Sequence, residues 1–365
     1  MDNILYIGPY REFSGMGNAS RAYLQSLIQT GHNISARPIF NIFKNYPIED
    51  YNQEICELES NFSKKYHTII QHCYPHQVCY DSRFDRNIGI VNIDSYNQTV
   101  STTQYLDVLD TVVVGSNFAR NELSKIKTRV VVIPEPINLE AITEYKNSNP
   151  QQNKNTFNFY CIMDYLSRKN LDTILLCFSK LAAYHNDIEL VIKTKAHSGY
   201  DNIVKDELEF KLSQIYETLR NAGLKKPKVI IGETKLEGMY YIHHNNDCII
   251  NVSSAESFGY SVLEALAFGN NIICNKKIAS AELVADDCGL LVDTETDMCL
   301  DKDRIYPIYN TINNYWQKPL CNSLLAQMNA AIYETPSEKQ ARQNNQIRKI
   351  EEYTIEKISE MFKVL

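Results

Sequence analysis

The sequence predicts an α/β protein made of two βα domains that face each other across a cleft. Three observations lead there. Short apolar runs alternate along the chain with longer segments of helical period, as in a parallel sheet wrapped by helices. The alternation lapses in one polar, turn-rich stretch near the middle and then restarts. The length, 365 residues, is enough for two medium domains with separate cores, or for one large one.

Composition narrows the class further. Hydrophobic residues make up 44% and charged residues 22%, which argues for a globular chain and against disorder. With 37 basic against 44 acidic residues, the net charge of −7 disfavours a dedicated nucleic-acid binder, whose phosphate contacts need a basic surface. No apolar run approaches ~20 residues, so a transmembrane helix is not expected, although peripheral membrane contact stays open. The start, MDNILYIG, lacks the basic-then-apolar pattern of a signal peptide. The ten cysteines are scattered and never stand as C-x-x-C; several (Cys161, Cys177, Cys248, Cys274) lie in apolar runs. A reducing, cytoplasmic setting fits, and a structural metal does not, even where Cys73 and Cys79 stand near His72 and His76.

The first strand reads Asn3–Ile7. A glycine-bearing loop follows, then a helix from about Asn18 to Thr30, stopped at Gly31 where a left-handed residue is expected. Further strands read Ile34–Phe40, His67–Gln71, Ile88–Ile93, Thr111–Val114 and Arg129–Ile133, the last closed by Pro134 and Pro136. The polar stretch Glu144–Thr156, EYKNSNPQQNKNT, has nothing to bury and reads as an interdomain linker. This divides the chain into a first domain at 1–145, a linker at 146–156, a second domain at 157–335 and a closing helix within 336–365.

In the second half the strands read Phe157–Met163, Ile188–Lys193, Lys228–Gly232, Asp247–Val252 and Asn271–Asn275. Helices fall between them at Asp172–Tyr184, Asn202–Asn221, Leu236–His243 and Tyr260–Phe268. A final helix runs from about Ser337 to Phe362, with Ser337 as its N-cap and Gln340 echoing a capping box. Sheets of this kind bind ligands at the carboxyl ends of their strands.

Chemistry concentrates in three loops at such ends. In the first, GPYREFSGMGN, Gly15 and Gly17 let backbone N–H groups approach an anion at a helix N-terminus; they serve equally as plain turn glycines. The spacing is not G-x-G-x-x-G, and no acid closes a second strand, which disfavours a dinucleotide site and a dehydrogenase. In the second, DYLSRKN, Arg168 and Lys169 would face the cleft and could neutralise a diphosphate without a metal, unless they form a solvated basic turn.

The third segment, ESFGYSVLEALAFG, puts Glu256 in a loop after a strand and Glu264 about one turn inside the following helix. Carboxylates at that edge suit hydroxyl-rich ligands, since each accepts hydrogen bonds from a vicinal diol. The N–H groups of Phe258 and Gly259 lie at the helix start, ready for an anion or a sugar oxygen. An amphipathic helix carrying two acids by chance is the competing reading. Against it, Glu264 in so apolar a run, VLEALA, needs a partner.

Glu256 and Glu264 form an E-x7-E pattern, and ESFGYSVLEALAFGNNIIC resembles the signature of family 4 retaining glycosyltransferases (group 1 glycosyltransferases) of GT-B fold. The resemblance runs through SGMGNASRAYLQSLIQTGH, TVVVGSNFARNEL, VVVIPEPIN, LSRKN, CGLLVD and the closing helix, in family order. It implies two Rossmann-like domains and a C-terminal helix crossing back onto the first. It also implies a nucleotide-sugar donor, a UDP- or GDP-sugar, held by the second domain, and a hydroxyl acceptor held by the first. Glycans or lipid-linked glycans would be the acceptors, with proteins or modified nucleic-acid bases as rarer ones. By carry-over Glu264 holds the ribose, while Glu256 and the backbone of Ser257, Phe258 and Gly259 hold the donor sugar. Arg168 and Lys169 hold the diphosphate, and Gly15 or Gly17 closes from the other domain. No metal or other cofactor is implied.

The family's Gly-Arg at the start of the basic loop is replaced by Met163-Asp164, so the arginine's role passes to Arg168. His72, ending a first-domain strand, is the candidate for the histidine many relatives place near the donor sugar. Asp94 is expected on the acceptor side. Lys193 is expected to reach the donor, and the loop from Gly232 to Thr234 to take the base. A catalytically degenerate GT-B protein that binds a nucleotide or glycan is the alternative function, kept open by Asp164.

Overall fold

A computed structural model describes residues 2–39, 53–96, 103–151, 154–196, 201–221, 223–224, 226–285, 287–298 and 315–365. Phe40, at the end of one expected strand, and residues 152–153 of the expected linker lie outside them.

The first six strands are β1 (Asn3–Gly8), β2 (Asn33–Pro38), β3 (Thr68–Cys73), β4 (Arg86–Val91), β5 (Thr111–Val114) and β6 (Arg129–Val132). They form one parallel sheet in the order β2-β1-β3-β4-β5-β6. The next six are β7 (Phe157–Asp164), β8 (Ile188–Lys195), β9 (Lys228–Ile231), β10 (Cys248–Asn251), β11 (Asn271–Asn275) and β12 (Leu290–Val292). They form a second parallel sheet, β9-β8-β7-β10-β11-β12. Every residue of β3, β5, β10 and β11 is buried, as expected of central strands covered on both faces. Apolar cores line both faces of each sheet.

In each sheet the direction of winding reverses once, between β1 and β3 in the first and between β7 and β10 in the second. At such a reversal neighbouring loops part and leave a crevice at the carboxyl ends of the strands. The loops after β1, β7 and β10 are the three in which the sequence concentrates its chemistry.

Several boundaries differ from expectation. The first helix spans Gly15–Ile28, starting three residues early because Ser14 is its N-cap and accepts from the Gly17 N–H at 3.0 Å. The polar stretch read as linker is helical at its start: Leu139–Ser148 forms a helix whose Ile142 and Tyr145 pack with Tyr240 and Phe268 of the second half. The backbone therefore crosses between the halves near Pro134–Ile137, ahead of the expected boundary at 145. After β12 comes an unexpected antiparallel pair, β13 (Thr294–Met298) and β14 (Tyr315–Pro319), then a helix at Cys321–Ile332.

The closing helix is two helices. Pro336–Ile350 is capped by Thr335 with Glu338 in a capping box, two residues ahead of the expected Ser337 and Gln340. It packs on the second half, where Arg342 and Gln346 donate to the Asn270 carbonyl at 2.8 Å each. A short turn at Glu351–Tyr353 then breaks the helix, and Thr354 caps a new one, Ile355–Lys363. Only this last piece returns to the first half, burying Ile358 and Phe362 in its core with Phe362 edge-on to Tyr23.

Candidate active site

A cavity of about 440 Å³ opens between the two halves, lined by residues of both. From the second half come the ends of β7 and β8 and the loop after β10. From the first come the loop after β1 and the segments after β3 and β4.

The floor is built by stitching the β7 and β10 loops together. Asn170 adopts a left-handed conformation (φ 56°), which a short polar side chain tolerates best after glycine. Its amide donates to the Val252 carbonyl and to Ser254 Oγ, both at 2.8 Å, and the Ser254 N–H donates to the Arg168 carbonyl at 2.7 Å. Both cations of the short Ser167–Lys169 turn are thereby aimed into the cavity. Lys169 Nζ donates to Glu256 Oε2 at 2.7 Å, and Arg168 donates to the Ala255 carbonyl at 2.6 Å and lies 3.9 Å from Asp94 of the first half. Burial pushes the Glu256 carboxyl up, but the Lys169 and Arg168 charges outweigh it and hold the group below its ordinary value.

Beyond Glu256 the chain turns through Gly259, whose φ of +100° and hypothetical Cβ only 2.6 Å from Ser280 Cβ exclude a side chain. The helix Tyr260–Phe268 begins there, and Glu264 stands inside it, buried yet lining the cavity. Its Oε2 lies 3.3 Å from His243 Nε2, and its Oε1 has no partner.

Of the residues expected at the site, Glu256, Ser257, Gly259, Glu264, Arg168, Lys169, Lys193, Gly15 and Asp94 line one cavity. Gly15 faces across it, its hypothetical Cβ meeting only Tyr260 Cβ at 3.7 Å. Four do not line it. Gly17 is buried one turn into its helix, and a Cβ there would stand 2.0 Å from the Glu12 carbonyl, so its role is to let the loop fold. Phe258 is buried in the second half's core. Gly232 lies just outside, and Lys193 Nζ donates to its carbonyl. Burial, with the charge of Lys195, brings the Lys193 ammonium down to about 8.

His72 is the clear correction. It is wholly buried against the first helix, with Nδ1 2.9 Å from Tyr6 Oη and the ring edge-on to Tyr23. Burial lowers its imidazole to about 3, so it packs as a neutral ring away from the cavity. The histidine that does line the cavity is His76, in the turn just beyond, where it stacks on Tyr74 at 5.9 Å. Lys195, which carries no motif in the sequence, also lines the cavity, and its Nζ crosses to the Phe13 carbonyl at 3.0 Å. Glu135 is buried, and burial together with the Glu256 charge keeps its carboxyl well above the ordinary range. Its one signal was an acid set between two prolines.

Two parallel sheets with a charged cleft at facing strand ends make a GT-B fold. Residues 142–303 match the family described as glycosyl transferases group 1. No curated protein matches it in sequence. Among solved structures it is similar to the E. coli trehalose-6-phosphate protein bound with UDP-2-fluoro glucose, at 12% identity and TM-score 0.70, covering 99% of this chain and 98% of that one. It is also similar to Anabaena Alr3699/HepE in complex with UDP and glucose (10%, TM-score 0.65, 99% and 98%). A glycosyltransferase from Rickettsia africae is 15% identical at TM-score 0.61, covering 99% and 96%. At these identities the likeness is one of fold. Among the described residues no helix is long and apolar enough to cross a membrane, and no group of three His, Cys, Asp or Glu side chains is placed to hold a metal.

Proposed function

We propose that the protein moves a sugar from a UDP- or GDP-sugar to a hydroxyl acceptor, such as a glycan or lipid-linked glycan, with retention and without a metal. The observation that carries this reading is the Lys169–Glu256 pair at 2.7 Å with Arg168 beside it, at the winding reversal of the second sheet. The two cations hold the donor's diphosphate and Glu256 accepts hydrogen bonds from the transferred sugar. Glu264 holds the ribose. The bond between the anomeric carbon and the phosphate oxygen breaks with its electron pair going to that oxygen. The acceptor oxygen bonds to the same face of the carbon, and its proton passes to the departing phosphate. Fixed cations and N–H dipoles stabilise the charge that grows on the leaving diphosphate.

His76 and Asp94, from the first half, face the acceptor. The test is a thermal-shift screen of UDP- and GDP-sugars followed by product analysis. A donor at ~100 times its Kd should stabilise the protein by roughly 2.7 kcal/mol. The product's anomeric configuration, read by NMR, should match the donor's; inversion, or no stabilisation by any member, would refute the reading.

A further inference from the structure

Glu264 lines the cavity with its Oε1 buried and unpartnered, while its Oε2 ends a buried chain of side chains that the reaction does not touch. Asn270 Nδ2 lies 2.7 Å from the His243 carbonyl and 2.7 Å from Tyr160 Oη. Tyr160 Oη lies 2.7 Å from His243 Nδ1, and His243 Nε2 lies 3.3 Å from Glu264 Oε2. His243, Tyr160 and Asn270 are all buried, and the Phe268 ring stacks on the imidazole at 5.5 Å and 14°. The second closing helix piece does not reach this chain, but Pro336–Ile350 anchors it, since Arg342 and Gln346 grip the Asn270 carbonyl.

The direction of every proton in the chain is determined. A backbone carbonyl can only accept, so the Asn270 amide must present its NH2 to His243. The same NH2 therefore donates to Tyr160 Oη. Tyr160 then keeps its own O–H for the neighbour that remains, His243 Nδ1; were Nδ1 protonated instead, that buried hydroxyl hydrogen would have no acceptor. With Nδ1 accepting, the ring proton sits on Nε2 and points at Glu264 Oε2.

We infer that His243 is a positioning residue: Tyr160 and Asn270 lock its imidazole in the Nε2–H form, and that N–H turns Glu264 so that the unpartnered Oε1 is offered to the donor's ribose. The inference rests on the proposed ribose role of Glu264. Asn270 and Tyr160 act only through the ring, so a change in either should be felt at the sugar hydroxyls of the nucleotide and nowhere else on it.

Two measurements test this. In the unliganded wild-type protein, 15N-resolved NMR of the imidazoles should find His243 with Nε2 protonated and Nδ1 bare; an Nδ1–H ring would overturn the proposal without reference to any ligand. The second compares binding of UDP and GDP with that of their 2′-deoxy and 3′-deoxy counterparts. Glu264→Gln should reduce the preference for the ribonucleotide about tenfold, as loss of a charge-assisted hydrogen bond does. His243→Leu should reduce it comparably, while His243→Gln, whose amide can still donate from the Nε2 position, should restore most of it. An unaltered preference in Glu264→Gln would sink the ribose role itself. A reduced preference in Glu264→Gln with an unaltered one in His243→Leu would sink the positioning role alone.

Discussion

Burial and then the Glu256 charge both raise the Glu135 carboxyl well above its ordinary value. A group whose folded pKa lies above its unfolded value contributes stability that is complete at acid pH and lost as pH rises. Glu135→Gln keeps the shape and removes the titration. Its melting temperature should therefore exceed that of the wild type near neutral pH and approach it in acid; an offset independent of pH would contradict this. Lys193 has the opposite history, with burial and Lys195 lowering its ammonium to about 8. Near that pH the free site holds only part of a charge that a diphosphate would restore. Nucleotide binding should take up a fraction of a proton at about pH 8 and weaken as pH rises beyond it, and Lys193→Met should abolish the uptake. Calorimetry in buffers of different ionisation enthalpy reads both. Glu256, Glu264, Arg168 and Lys169 were legible in the sequence because each sits in a loop or helix turn whose spacing fixes where it points. His72 was not, because all six residues of β3 are buried and a strand covered on both faces has no alternation to show which side chains reach the cleft.

At the scale of elements, the opening of the first helix separates its two glycines. Gly17→Ala would drive a methyl group into the Glu12 carbonyl, whereas Gly15→Ala meets an ordinary contact at 3.7 Å. Denaturant titrations should find Gly17→Ala destabilised by about 1–3 kcal/mol and Gly15→Ala within about 0.5 kcal/mol of wild type. Equal losses would show that the loop does not fold as described. The sequence hides the helix start because Ser14 is separated from the apolar period by Gly15–Asn18, so the cap stands apart from the pattern it begins. The break in the closing helix was hidden for a related reason. Ile350, Tyr353, Ile355 and Ile358 are all buried, so apolar residues continue straight through the turn at Glu351–Tyr353, with Thr354 the one local sign of a new start.

At the scale of the molecule, the alternation of strand and helix and the restart after residue 150 made the two sheets legible, because a parallel sheet demands a crossover between strands. The contacts that join the halves were not, since they pair residues far apart in sequence. Ser116 Oγ donates to the Ser257 carbonyl at 3.0 Å, and Glu282 accepts the N–H groups of Asn117 and Phe118 at 3.0 and 2.7 Å. Phe362 adds apolar burial to the first half from the far end of the chain. Phe362→Ala should cost about 3–5 kcal/mol, measured by chemical denaturation, with the loss falling on the first half. A loss spread evenly over both halves would mean that the last helix does not dock where described.

Nucleotide release tests most directly whether Glu256, Arg168 and Lys169 carry the proposed transfer. Wild-type protein is given a panel of UDP- and GDP-sugars with candidate hydroxyl acceptors, alongside Glu256→Ala and the double variant Arg168→Ala/Lys169→Ala, with melting temperatures recorded for all three. The wild type should release nucleotide from at least one donor, and neither variant should do so above background while both remain folded. Undiminished release by a variant, or nucleotide binding without turnover by the wild type, would contradict the proposed transfer.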